Sequence, residues 1–270
     1  MKILTLNTHS WVDEQKARQI PVLAAEIAQG DYDIIALQEV NQSKEATQAY
    51  LDGFYCPTAT NASVKADNFA LKLVEALQVL DKEYYWSWSF CHYGYEPYEE
   101  GVALLSKEPM IAKEFVVTDT GDYEADHARR ILVGLTESDG QLIQVVSGHF
   151  DWWQEHFAQE WQRTLKDVGQ AYPLIVAGDF NEPADGLGYH LIMDSSDLVD
   201  AFVVATTRIG EFTVPGAIAG WEKDATPKRV DYVFADPTFA VQRYEVVFDG
   251  QRTPQISDHY GVSVELTLDN

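Results

Sequence analysis

The sequence predicts an α/β fold in which two mixed β-sheets pack face to face with helices outside. Three observations carry this expectation. Short runs of Val, Ile and Leu recur along the 270 residues, as in strands buried on both faces. Stretches with helical apolar spacing lie between strands in both halves. Both halves also carry antiparallel hairpins. No internal repeat and no low-complexity linker interrupts the pattern, so residues 1–270 are read as a single domain.

The elements follow in chain order. KILTLN at 2–7 reads as a strand. Ala17, Ile20, Leu23, Ala24 and Ile27 have helical spacing over 14–29, with Gly30 as a stop. DIIAL at 33–37 is a second strand, so the opening is β-α-β and predicts a parallel pair. Residues 41–66 are polar and irregular, either an ordered wall of a pocket or a mobile lid. A helix is expected over 67–80 with Asp67 as N-cap. Tyr84, Trp86, Trp88 and Phe90 alternate with smaller residues in a strand pattern, and His92–Tyr98 is read as a loop. Strands follow at GVALLS, MIAKEFVV, RRILVGLT and QLIQVVSGHF, the last two joined by the hairpin signal Asp139-Gly140. A helix is expected over 154–169 and a short one near 187–193. Residues 203–227 are loop-rich, and RVDYVFA, FAVQRYEVVF and GVSVELTL close the chain as strands.

Composition narrows the function. The chain holds 19 Lys and Arg against 43 Asp and Glu, a net charge of −24. Such a charge repels polyanions at long range, and no basic stripe is present, so no stable nucleic-acid binding is expected. Cys56 and Cys91 form no disulfide framework and have no metal-ligand spacing. The N-terminal MKILTLNTHSW lacks a signal-peptide core, and no run reaches the ~20 apolar residues of a membrane span. A cytoplasmic protein is expected; the sequence is silent on oligomeric state.

The chemistry gathers at strand ends. In LIVAGDFN (174–181) a buried strand runs into Gly178, a natural strand terminator, then Asp179 and Asn181. If the backbone stays extended, Asp179 and Asn181 point to one side. Taken alone this is a polar turn after a strand. Asn7, Glu39, His149, Asp231 and the pair Asp258-His259 stand at comparable places, however. Carboxylates in apolar strand contexts are costly unless paired or metal-bound, and several together suggest a metal-dependent hydrolytic site. Mg²⁺ suits such a set, since it takes a few hard oxygen ligands at ~2.1 Å and keeps several waters.

The order LTLNTH, LQEV, EGVALLSK, SGHF, GDFN, RVDYVF and SDH resembles the endonuclease/exonuclease/phosphatase superfamily, whose members include DNase I-like nucleases, neutral sphingomyelinases and inositol-polyphosphate 5-phosphatases. The resemblance covers residues 3–260. It implies a four-layer α/β/β/α sandwich. It also implies that Asn7, Glu39 and Asp258 hold Mg²⁺, for which Mn²⁺ could substitute, and that His149 and His259 clasp the scissile phosphate. Glu100 would pair with His149 and Asp231 with His259; Asp179 would position or activate water and Asn181 would bind a phosphate oxygen. Whether one metal ion or two is used stays open. The remaining histidines are read as surface or capping residues, His9 being the most interesting because it is two residues from Asn7.

The substrate is argued from the periphery. A chain of −24 without a basic run suits a nuclease poorly, and no basic amphipathic helix suggests a lipid surface. A small soluble phosphomonoester fits better. Arg129-Arg130, Lys228-Arg229 and Lys107 are candidate local cations, with Arg130 and Arg229 preferred. Trp11, Trp152, Trp153, Trp221 and Tyr98 lie near proposed catalytic positions, and Tyr98, Trp152 and Trp221 are taken as sugar contacts. Trp152 and Trp153 cannot both face inward if they lie on a strand. LTLNTHSW and SGHFDWW are similar to bacterial maltose 6′-phosphate phosphatases within the superfamily. The alternatives are a phosphodiesterase of the same superfamily, nuclease or sphingomyelinase-like, and a non-catalytic binding module that kept the fold.

Overall fold

The computed structural model describes residues 1–12, 16–59, 63–125, 127–154, 156–217 and 224–268. The chain opens with β1 (Lys2–Asn7), α1 (Lys16–Gly30), β2 (Ile34–Gln38), β3 (Gln42–Ser43) and α2 (Phe69–Val79). Then come β4 (Tyr85–Gly94), β5 (Tyr98–Ser106), β6 (Ile111–Val116), β7 (Arg130–Ser138), β8 (Gln141–His149), α3 (Phe157–Val168) and β9 (Leu174–Asp179). It closes with α4 (Leu187–Ser195), β10 (Val199–Asp200), α5 (Ala201–Val204), β11 (Thr207–Ile209), β12 (Asp231–Ala235), β13 (Phe239–Val247) and β14 (Gly261–Leu268). The described strands form two sheets. One has the order β11-β13-β14-β1-β2-β5-β3, with β4 also on β5; the other runs β10-β12-β9-β8-β7-β6.

Strand alternation sorts the apolar residues into layers. Ile3, Ile34, Ala36, Val102 and Leu104 of the first sheet meet Val145, Ile175, Ala177 and Val233 of the second in one buried layer. Leu4, Leu6, Ile35 and Leu37 point the other way, onto Leu23, Ile27, Leu73 and Leu77 of α1 and α2. On the far side Val133, Val146 and Val176 pack on Trp161 of α3 and Ile192 of α4. This is the expected α/β/β/α sandwich.

The same parity positions polar side chains. Asn7, Glu100, His149, Asp179 and Asp231 share the inter-sheet face of their strands with Ile3, Val102, Val145, Ala177 and Val233, but sit at or within two residues of a strand end. β1 and β2 are parallel, as expected, and so are β8 and β9. Their carboxyl ends therefore lie at one edge, where the antiparallel β5, β12 and β14 begin. The register sets His149 beside Asp179, and Asp179 beside Asp231.

Several local expectations need correction. Asn68, not Asp67, caps α2, accepting from Leu71 N at 3.2 Å; Asp67 instead binds the hydroxyl and backbone N–H of Ser43. His92–Tyr98 is no loop: β4 runs to Gly94, β5 starts at Tyr98, and only residues 95–97 turn. Gly178 does not end its strand. It pairs with Gly148 at φ 153°, and a Cβ there would run into the Gly148 carbonyl, so close approach of backbones is what requires glycine. Asp139 (φ 52°) and Gly140 (φ 79°) form the expected left-handed hairpin turn. The described part of 41–66 packs along β4 and β5, with Cys56 N donating to Trp86 O at 2.7 Å and Gln42 Nε2 to Glu99 at 2.6 Å. It gives no residue to the cavity described next.

Candidate active site

A cavity of about 350 Å³ opens at the edge where the strand ends converge. Asp179 stands at its floor, almost fully buried. Its Oδ2 accepts from Asn7 Nδ2 at 2.9 Å, and its Oδ1 from Asn181 N at 2.9 Å. The same Oδ2 lies 3.7 Å from His149 Nε2 and 3.7 Å from His259 Nε2. One carboxylate oxygen thus sits between two imidazoles. Burial pushes Asp179 up to about 7, against the attraction of His259.

The two histidines differ in charge. His259 Nδ1 lies 2.9 Å from Asp231 Oδ2. Burial opposes its charge, but Asp231 and Asp179 outweigh burial and hold its pKa well above the ordinary histidine value. His149 has no such partner. Its Nδ1 is 3.9 Å from Glu100 and its Nε2 is 3.3 Å from Asn181 Nδ2. Burial, then the Arg129 charge, keeps it neutral. The amide N of Asn181 also donates to Phe150 O at 2.9 Å. Asn181 reaches these partners from a left-handed backbone (φ 51°), not the extended one the two-residue spacing assumed.

Carboxylates crowd the opposite flank. Glu39 and Glu100 both face the cavity, as does Asp258. Glu39 Oε1 accepts from Asn7 Nδ2 at 2.9 Å, so Asn7 bridges Glu39 and Asp179 from behind. Burial and then the Glu39 charge push Glu100 up to about 8. Asp258 Oδ1 lies 3.6 Å from His9 Nδ1. Backbone strain gathers around this edge. His9 (φ 42°), Glu39 (φ 49°), Tyr95 (φ 45°), Glu96 (φ 56°) and Asn181 are all left-handed without being glycine. Such conformations cost ~1–3 kcal/mol each and cluster at functional sites.

Comparison with known proteins agrees with this geometry. Residues 15–259 match the Endonuclease/Exonuclease/phosphatase family. The chain belongs to that family. A family protein from Leptotrichia buccalis C-1013-b is 32% identical, with a TM-score of 0.88 over 99% of this chain and 100% of that one. A mannosyl-6-phosphatase from Bacteroides thetaiotaomicron VPI-5482 shares the fold at 17% identity and TM-score 0.69, covering 99% and 100% of the two chains. The Staphylococcus aureus beta toxin does so at 15% and 0.64, covering 98% and 99%. No curated protein matches the sequence. The fold is the DNase I-like one, and members of the endonuclease/exonuclease/phosphatase family are generally hydrolases of phosphoester bonds.

The donor set suits a hard divalent cation of the kind this family typically uses. Glu39, Glu100 and Asp258 are oxygen donors with no thiol among them, and the repulsion of Glu100 by Glu39 is what a bound cation would relieve. Asp179, Asp231 and His259 also bring possible ligand atoms within 4.8 Å of one another. That group reads differently, because a protonated imidazole has no lone pair to offer.

The peripheral expectations fare less well. Arg130 turns away from the cavity, donating to Gly121 O at 3.2 Å and lying 4.9 Å over the Tyr123 ring. Its neighbour Arg129 faces the cavity instead, 3.9 Å from Glu100 Oε1. Arg229 is buried against Asp200 at 2.7 Å with Phe202 and Tyr232 around it, a structural ion pair. Lys107 binds Asp31 and Asp33. Tyr98 donates to Trp11 O at 3.2 Å and does not line the cavity. Trp152 does line it, while Trp153 packs under the second sheet; both follow β8 in a turn, so strand parity does not govern them. Trp221 lies outside the described residues.

Of the other cavity residues, Arg129 is a candidate cation that the sequence ranks behind Arg130, His92 reads from sequence as a surface or capping residue, and Tyr93, Gly94 and Tyr95 have no assignment there. His92 is buried, with Nδ1 3.0 Å from Ala128 O and Nε2 3.5 Å from Glu100. A register slip between Phe90 and His92 sets it opposite Glu100 and hence on the same face. Tyr95 has its hydroxyl 3.4 Å from Glu39 Oε2.

Proposed function

We propose that residues 1–270 act as one domain, a cytoplasmic, Mg²⁺-dependent phosphomonoesterase for a small phosphorylated sugar. The observation that carries this reading is the charge arrangement of the cavity. Two cations, Arg129 and protonated His259, stand among Asp179, Glu39, Glu100 and Asp258 around one small open cavity. A phosphate dianion with a compact leaving group matches that arrangement. A polymer would also need cations along its path, and the chain as a whole carries −24.

In this reading Asp179 orients the attacking water and takes its proton; its place between both imidazoles puts that water beside the phosphate. His259 donates Nε2–H to a phosphate oxygen, with Asp231 fixing the ring through Nδ1. Arg129 holds a second phosphate oxygen. Asn181 fixes the orientation of His149 through Nε2, so that Nδ1–H is turned towards Glu100. Mg²⁺, or Mn²⁺ in its place, held by Glu39 and Asp258 with Asn7 behind them, would supply Lewis-acid neutralisation of the developing charge. The likeness of LTLNTHSW and SGHFDWW to maltose 6′-phosphate phosphatases supports a sugar phosphate. The fold shared with a mannosyl-6-phosphatase is compatible with it.

Phosphate release is the test. With Mg²⁺ present, maltose 6′-phosphate, trehalose 6-phosphate and glucose 6-phosphate are compared with plasmid DNA and sphingomyelin. Selective release from one sugar phosphate, abolished by EDTA and restored by Mg²⁺, is expected. Nicked plasmid or cleaved lipid with inert sugar phosphates would establish the phosphodiesterase alternative, and turnover that survives thorough chelation would reject the metal dependence.

A further inference from the structure

The turn between β4 and β5 is chemically unusual. Hairpin turns that need left-handed residues normally use Asn, Asp or Gly, yet here Tyr95 and Glu96 occupy consecutive left-handed positions. The sequence accepts this strain and places a large ring at the tip. That ring lines the cavity with its hydroxyl 3.4 Å from Glu39, and its side abuts the His9 ring at 5.6 Å and 62°. Tyr95 is nonetheless about half exposed, at 48%. It is therefore not a core residue tolerated in a poor conformation. Trp152 reaches the same cavity from the loop after β8, in the other sheet.

We infer that Tyr95, held at a strained hairpin tip, is a specificity-determining residue that with Trp152 grips the ring of the substrate's leaving group. The inference rests on the sugar-phosphate reading above and adds to it which part of the substrate is recognised, and by what. A pyranose presents C–H groups on its faces and hydroxyls around its rim. Aromatic rings take the faces, and the polar groups of the cavity take the rim. Tyr95 and Trp152 line the same cavity from different sheets, so a pyranose bound next to the phosphate site can meet an aromatic face from either side. A linear ester gains little from those faces.

Three variants test this: Tyr95→Asn, Tyr95→Phe and Trp152→Ala. Each is assayed for kcat/KM on the preferred sugar phosphate and on glycerol 3-phosphate, which has no ring, and each is melted. Asn suits the left-handed backbone, so Tyr95→Asn should fold, with Tm equal to or above that of the parent. The ratio of the two kcat/KM values should fall at least tenfold in Tyr95→Asn and in Trp152→Ala, through KM for the sugar phosphate. Tyr95→Phe keeps the ring and should hold the ratio within twofold. An unchanged ratio in Tyr95→Asn overturns the inference. So does an equal loss in Tyr95→Phe, which would show that the hydroxyl on Glu39 matters and the ring does not. A parent protein inactive on every phosphomonoester would overturn the sugar-phosphate reading, and this inference with it. An active parent with indifferent variants overturns only the inference.

Discussion

The two flanks of the cavity solve opposite electrostatic problems. On the Asp231–His259–Asp179 flank every charge has a partner. Asp231 is fully buried, yet it meets an imidazolium at 2.9 Å. On the Glu39–Glu100–Asp258 flank carboxylates face carboxylates, and Glu100 is driven up to about 8 by burial and by Glu39. The first flank balances its own charges; on the second, Arg129 at 3.9 Å offsets only part of the Glu100 charge, and a bound cation would neutralise the rest. The difference separates residues that hold a catalytic geometry from residues that wait for a ligand.

Neutralising one carboxylate on each flank should therefore move stability in opposite directions. Asp231→Ala strands a buried imidazolium, and breaking such a pair costs about 3–5 kcal/mol. Turnover should fall by about 10²–10⁴-fold, since His259 loses both orientation and charge. Above about pH 8, where burial and Glu39 no longer hold Glu100 protonated, Glu100→Gln removes a repelled carboxylate. In EDTA at that pH it should raise Tm by about 2–4 °C, or about 1 kcal/mol, and added Mg²⁺ should shrink that gain. Melts of both variants with and without Mg²⁺ check the contrast. A destabilised Glu100→Gln in EDTA would remove the claim that the second flank repels itself.

The next contrast is between adjacent arginines. Arg129→Gln should lower kcat/KM by about 10²-fold, as expected for loss of a charged donor to the transferring phosphate. Arg130→Gln should stay within a few-fold in activity and lose about 1 kcal/mol of stability with its Tyr123 contact. Steady-state kinetics and melts of the pair decide. Equal losses of activity would mean that the Arg130 wall also touches substrate.

That pair also marks how far the sequence can be read. The layers were legible because alternation is strict: Ile3, Ile34, Val145 and Ile175 face the partner sheet, and Leu4, Ile35, Val146 and Val176 face helices. Strand ends were legible because a carboxylate or amide after a buried run is rare without a purpose. Parity at a strand's first residue was not, since moving the start of β7 by one residue exchanges Arg129 and Arg130. His92 was hidden by the register slip after Phe90, which no residue type announces. Tyr95 was hidden because Tyr-Glu is no turn signature, so only the observed φ angles reveal the strain. Arg229 misled for another reason: a charge beside Asp231 in sequence is buried on the far face, against Asp200.

The smallest effect is expected at an exposed copy of the paired flank. His156 Nδ1 lies 2.8 Å from Asp151 Oδ2, much as His259 does from Asp231, but the His156 side chain is 32% exposed. The hydrogen bond to Asp151, ahead of an opposing burial penalty, raises the His156 pKa above its ordinary value of 6.5. The native state thus holds the proton more tightly than the unfolded chain. The stabilisation is fully present below the unfolded value and is lost as pH rises through the raised native value. His156→Gln should remove that part of the pH slope while leaving the melt near pH 9 unchanged. The difference at pH 6 should stay below about 1 kcal/mol, because solvent screens the pair. Melts of both proteins at pH 6 and pH 9 measure it. A loss as large as that of Asp231→Ala would mean that burial is not what separates the two pairs, and the contrast between the flanks would need another cause.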